Sequence, residues 1–230
     1  MEKRQRKILN SIIKEYQRTG QPVSSQSLLE RFVFNFSPAT MRSEMLELDE
    51  TGFLEQPHTS AGRVPTDKAY RLFIDELEGE APTSSEREQV WRRMEQLRQE
   101  SLHEMAQFLA DCSHNIGLSG VFGRTTDFHE AGWRWLAEEP EFDGDNLKNI
   151  LKCFDSLDDD FNEFFSDLDE DVEIFIGQEN PIKYLRDYSL VITGFTQDDS
   201  RGILGILGPK RMNYQKNRFV LKEVKKKIKK

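Results

Sequence analysis

The sequence predicts an α+β protein whose first part is a winged helix-turn-helix, and three observations support this. Helical periodicity runs from residue 3 to 18 and again from 38 to 50. Two short extended pieces flank a polar loop between 53 and 65. Strand-like runs separated by turn residues recur from 118 onward.

In the first helix, expected over 3 to 18, Ile8, Leu9, Ile12, Ile13 and Tyr16 fall on one stripe, and Thr19-Gly20 ends it. Ser24 is placed to cap a short helix over 25 to 32 that directs Leu28, Leu29 and Phe32 inward. Ser37 caps a third helix reaching Glu50, and Pro38 occupies its first position, where a missing N–H costs nothing. Met41, Met45 and Leu48 recur at i, i+4, i+7 and should pack inward, which leaves Ala39, Thr40, Arg42 and Ser43 projecting near the N-terminal end. Small and hydroxylated side chains suit a helix that enters a groove of about 12 Å, and Arg42 suits a guanine edge or a phosphate. Glu44 and Glu47 are expected to limit how deeply that helix enters.

Thr51-Gly52 stops the third helix. Phe53 to Glu55 and Arg63 to Pro65 then form a wing, kept short by Pro57 and Pro65. At its tip His58, Thr59 and Ser60 offer polar groups to phosphate oxygens, Gly62 permits close approach, and Arg63 can reach a phosphate or the minor groove. The expected DNA-contacting set is therefore Ser37, Ala39, Thr40, Arg42, Ser43, His58, Thr59, Ser60 and Arg63, with Thr40, Arg42 and Ser43 reading sequence and Ser37, His58, Thr59, Ser60 and Arg63 mainly positioning the duplex. The competing reading of the same elements is a winged-helix module that presents this helix to protein or RNA.

The net charge of -9 on 230 residues weighs against nucleic acid only if it is spread evenly. It is not. Residues 1 to 75 carry 11 Lys or Arg against 10 Asp or Glu, residues 138 to 173 carry 2 against 15, and residues 210 to 230 carry 10 against 1. No apolar run is long enough to cross a bilayer, and the basic N-terminus feeds an amphipathic helix, so a cytoplasmic protein is expected. Cys112 and Cys153 read as core thiols.

A helix from Thr66 should leave the wing with Tyr70, Phe73, Ile74 and Leu77 on its apolar face. A break at 79–85 contains Pro82 and separates a first domain, 1–78, from a second, 86–230. Thr83 and Glu86 form a capping box for one long helix to about Cys112, with Val90, Met94, Leu97, Met105, Phe108 and Cys112 on one side and Ser101 in the series. Strands are expected at 118 to 122, 173 to 176, 189 to 195 and 203 to 207, the last two as a hairpin across the 197–200 turn, with short helical structure at Trp133 to Leu136, a helix from Asp145, and a basic terminal helix from Tyr214. The Asp158 to Asp160 run lacks the glycine turn and alternating ligands of a calcium loop, and no His or Cys spacing fits zinc. Gly202, Gly205 and Gly208 match no nucleotide fingerprint and mark close packing or bends. No cofactor, metal or enzymatic activity is expected.

The segments RQRKILNSIIKEYQRTGQPVSS, SPATMR and LDETGFLEQPHTSAGRVPTDKAYRLFIDEL resemble the DNA-binding domain of the heat-inducible transcription repressor family HrcA. VEIFIGQENPIKYLRDYSLVITGF and RGILGILGPKRMNY resemble that family's C-terminal regulatory region. The resemblance implies a GAF-like second domain and repression of chaperone genes at an inverted-repeat operator of double-stranded DNA. It also implies dependence on a GroEL-type chaperonin. The family's dimerising insert would fall between Val121-Phe122 and Trp133, where this chain is short. A homodimer is still expected, because a two-fold operator requires a two-fold protein, and the helix over 85 to 112 is the expected interface.

Overall fold

The computed structural model describes residues 1–59, 61–77, 81–95, 97, 101–122, 126–139, 150–151, 168–197 and 200–228. The chain divides into two compact units, Met1–Glu78 and Gly79–Lys230.

The first unit is built on α1 (Lys3–Thr19), whose Ile8, Leu9, Ile12 and Ile13 are fully buried. The helix ends at Gly20, in the left-handed region with φ 64°, where the glycine N–H donates to the Tyr16 carbonyl. Ser24 caps α2 (Ser25–Arg31) through a reciprocal pair with Ser27. Ser37 caps α3 (Pro38–Glu50) by accepting the Thr40 N–H at 3.2 Å. Strands β1 (Leu54–Glu55) and β2 (Val64–Pro65) pair antiparallel, Leu54 opposite Pro65 and Glu55 opposite Val64. Thr66 then caps α4 (Asp67–Glu76), which buries Ala69, Tyr70, Phe73 and Ile74. A third extended piece joins the hairpin, since Val23, between α1 and α2, bridges Arg63.

Glu15 is among the polar residues buried in this unit. The Glu15 carboxylate is held by Arg18 at 2.7 Å and Arg31 at 2.9 Å. Its hydrogen bond from Arg18 lowers its pKa below the ordinary 4.5 against the opposing effect of burial, and the positive charges of Arg18 and Arg31 add to the lowering.

The second unit opens with α5 (Ser84–Met94), capped as expected by Thr83 and Glu86. The single long helix expected to Cys112 is instead two. Helix α6 (Leu102–Ser113) starts afresh at Ser101, whose hydroxyl accepts the Glu104 N–H. A serine placed in a helical series also competes for backbone donors, and here it acts as a cap. Helix α6 lies on a five-stranded antiparallel sheet of order β4-β3-β7-β6-β5. Its strands are β3 (Ile116–Phe122), β4 (Asp127–Ala131), β5 (Glu173–Ile176), β6 (Tyr188–Gln197) and β7 (Ser200–Pro209).

Strand β4 was not anticipated, and it occupies the segment where the family's insert was expected. Its sequence Asp-Phe-His-Glu-Ala is polar as suits an edge strand, and among the described residues it pairs only with β3, from Gly117 opposite Ala131 to Val121 opposite Asp127. A short helix α7 (Trp133–Ala137) follows, and α8 (Tyr214–Ile228) closes the unit against α6, α5 and the sheet. Ile116, Leu118, Leu190, Ile192, Ile203 and Leu207 form the sheet's apolar layer, joined by Leu136, Ile150 and Leu185. Close packing accounts for part of the glycine pattern: a Cβ on Gly208 would overlap Asn115, and one on Gly202 would overlap Phe195. The helix expected from Asp145, the Asp158 to Asp160 run and Cys153 lie outside the described residues apart from Ile150 and Leu151.

A lowered folded-state pKa contributes stability above the unfolded value, and that contribution is lost as pH falls through the folded value. Glu15→Gln should therefore be less stable than the wild type by about 1 kcal/mol at neutral pH, both arginines being half exposed. The gap should narrow once pH drops below the ordinary carboxylate value and vanish below the folded one. Thermal unfolding of both proteins across acid pH measures this.

Candidate functional site

One face of α3 is turned to solvent. Ala39, Arg42, Ser43, Leu46, Glu47 and Glu50 are all exposed and follow three- and four-residue steps, while Met41, Glu44, Met45 and Leu48 are buried. The stripe begins at the helix N-terminus, where the backbone dipole is positive. It ends at two carboxylates.

The expected residues divide among different tasks. Ser37 is exposed and caps the helix, and Thr40 is half buried with its hydroxyl 3.0 Å from that of Ser37, so the pair works first on the helix start. Ala39, Arg42 and Ser43 project freely. Glu44, expected to face the partner and limit approach, is turned inward instead and ion-paired with Arg4 of α1. Its step of three from Met41 and four from Leu48 places it on the core stripe, where only the salt bridge makes a carboxylate tolerable. Glu47 remains outward.

The loop beyond β1 is arranged by a residue that composition alone does not single out. Gln56 donates through Nε2 to the carbonyls of Thr59 at 3.0 Å and Ala61 at 2.9 Å, and the Ala61 N–H donates to the His58 carbonyl at 2.8 Å. His58 and Thr59 are left exposed on this turn, and Ser60 lies outside the described residues.

Arg63 and Gly62 serve the fold rather than an open surface. The Arg63 guanidinium, 19% exposed, sits 2.6 Å from the Asp49 carboxylate of α3. Its backbone exchanges two hydrogen bonds with Val23, each 2.9 Å. A Cβ on Gly62 would lie 2.4 Å from the Val23 carbonyl oxygen, so the close approach this glycine permits is between two stretches of the chain's own backbone. Of the two arginines expected to contact DNA, Arg63 is thus taken by Asp49 and Arg42 is left without a carboxylate partner.

The other arginines of this unit are also committed: Arg4 to Glu44, Arg6 to Glu76, Arg18 and Arg31 to Glu15, and Arg71 to Asp75. Among the described residues of the first unit, Arg42 is the arginine that has no carboxylate partner. Its position in mid-stripe was legible in the sequence. Its isolation was not, because the pairings run between helices and across the hairpin.

In the second unit Cys112 is a buried free thiol whose pKa burial pushes up to about 11. An open pocket of about 710 Å³ is lined by Arg93, Asp111, His114, Arg134 and Trp135 among others. His114 stacks on one side of the Trp135 ring system at 4.2 Å, and Arg134 lies 4.7 Å from the same ring. Among the described residues no three His, Cys, Asp or Glu side chains converge on a metal-sized site, and no helix is long and apolar enough to cross a membrane.

These features define a two-unit α+β protein: a helical N-terminal unit that offers one face of its third helix beside a two-stranded hairpin, and a C-terminal unit built on an antiparallel sheet. A family model described as the HrcA protein C terminal domain matches residues 54–217. The chain belongs to the HrcA family. Among curated relatives, the heat-inducible transcription repressor HrcA of Natranaerobius thermophilus is 42% identical over 107 residues, 46% of this chain and 31% of that protein. Its namesake from Geobacter sulfurreducens is 41% identical over 158 residues, 64% of this chain and 46% of that protein. The chain therefore matches from about a third to just under half of these relatives' length. A crystal structure of a hypothetical protein at 2.2 Å resolution shares the fold, with a TM-score of 0.79 over 99% of this chain and 96% of that one at 22% identity.

Gly62→Ala should destabilise the first unit by about 2 kcal/mol, because both atoms in conflict belong to backbone or to a Cβ fixed on it. Hydrogen exchange should show the Val23 and Arg63 amides losing protection together, with urea unfolding giving the magnitude.

Proposed function

We propose that the first unit is a winged helix-turn-helix that lays the exposed face of α3 in the major groove of double-stranded DNA, and that the chain represses transcription of heat-shock chaperone genes at an inverted-repeat operator. The observation that carries the reading is Arg42, exposed in mid-stripe and unneutralised while the other arginines of its unit are paired. A guanidinium without an intramolecular partner is available for a bidentate contact to guanine O6 and N7. The name carried by the relatives supports the same role.

In this reading Arg42 and Ser43 read bases, with Ala39 allowing close approach. Ser37 and Thr40 present the helix N-terminus to a phosphate, and His58, Thr59 and Ser60 position the duplex through the wing. Arg63 acts indirectly: by pairing with Asp49 it fixes the wing against α3. Glu47 and Glu50 favour entry by the N-terminal end, since deeper engagement would bring carboxylates to phosphates.

The second unit, read as a reduced GAF-like domain, is the regulatory and dimerising part. With the long helix replaced by α5 and α6, an interface along residues 85 to 112 as one rod is withdrawn, and the sheet is the remaining proposal for the contact between copies. Dependence on a GroEL-type chaperonin is carried over from the family resemblance. Operator binding after mild heating, with and without chaperonin, tests it, and activity indifferent to both would reject it.

Arg42→Ala should weaken operator binding by about 1–3 kcal/mol while leaving binding to random DNA less affected. Gel shifts on an intact and a scrambled operator measure both, and equal affinity of the wild type for the two DNAs would overturn the operator reading in favour of a protein- or RNA-binding module. Light scattering should give a dimer on operator DNA, and a monomer both free and bound would reject the two-fold arrangement.

A further inference from the structure

Leu46 is the anomaly of the α3 stripe. It is 51% exposed, while the other large apolar residues of the helix, Met41, Met45 and Leu48, are 0%, 6% and 1% exposed. It sits one turn beyond Arg42 and three residues beyond Ser43, on the same outward face, and is followed immediately by the outward carboxylate of Glu47. It is therefore the last side chain of the stripe able to meet bases before the face turns acidic. About half of a branched aliphatic side chain is thus left in water on this face.

The chemistry of the groove limits what such a group can recognise. Guanine presents two acceptors in the major groove, cytosine a donor, and adenine an acceptor and a donor. Covering any of these with an aliphatic side chain removes water from a polar edge and returns no hydrogen bond. Thymine alone presents a methyl group. A rise of 1.5 Å per residue places Leu46 about 6 Å along the helix from Arg42, close to two base-pair steps of about 3.4 Å when the helix follows the groove.

We infer that Leu46 is a specificity-determining residue that selects thymine through its 5-methyl group, about two base pairs from the base contacted by Arg42. The inference rests on the DNA-binding reading above and adds to it the identity of one base.

The test uses the full chain and duplexes that it enriches from a random pool. In the enriched site each thymine is replaced in turn by deoxyuridine, which removes the 5-methyl and nothing else. At one position in each half-site the replacement should weaken wild-type binding about fourfold, the factor associated with one buried methyl-sized group. Leu46→Ala, a surface change that favours helix, should bind the thymine duplex with a similar loss and should no longer distinguish thymine from uracil there. An unchanged circular dichroism spectrum and unchanged affinity for random DNA establish that the variant is folded. Specific enrichment with no uracil-sensitive thymine, or a Leu46→Ala protein that still discriminates, would overturn the inference and leave the DNA-binding reading standing. Failure to enrich any sequence would overturn that reading itself and the inference with it.

Discussion

Two backbone hydrogen bonds between Val23 and Arg63 join the chain between α1 and α2 to the hairpin that follows α3. They form only because Gly62 has no side chain. From this junction the Arg63 side chain reaches back to Asp49 near the C-terminal end of α3. The hairpin, the turn before α2 and α3 are thereby tied together by contacts distant in sequence. Helix α3 has few buried side chains of its own, and the orientation of its outward face depends on this junction as much as on Met41, Met45 and Leu48.

Charge pairing explains how an acidic chain leaves a cation free at the right place. Each of six arginines in the first unit meets a carboxylate, with Glu15 serving two of them. Six of the eleven Lys and Arg of residues 1 to 75 are thus engaged in internal ion pairs, which contribute little to long-range attraction. A recognition face built this way draws less on nonspecific phosphate attraction and more on contacts made at close range.

Local signals in the sequence were enough for the elements whose ends are chemically marked. Ser24, Ser37 and Thr83 cap the helices they were expected to cap, the helix expected from Thr66 starts there, and Met41, Met45 and Leu48 pack inward as their spacing requires. What escaped depends on distant partners. Glu44 reads as outward by its charge and is inward because Arg4 meets it; Arg63 reads as a free wing cation and is held by Asp49; β4 is too polar to read as a strand and exists because β3 offers it an edge. Ser101 carried a local signal that was misread, since a capping residue falling on an apolar series looks like an interruption rather than a new start.

The most direct test of the outward α3 face as a major-groove reader is methylation protection of guanine N7, an atom that lies in that groove. The bound wild-type protein should protect one guanine or more in each operator half, and Arg42→Ala at saturating concentration should lose protection at one of them. Absence of N7 protection under the wild-type protein, or an identical pattern for the variant, would contradict the role assigned to this face.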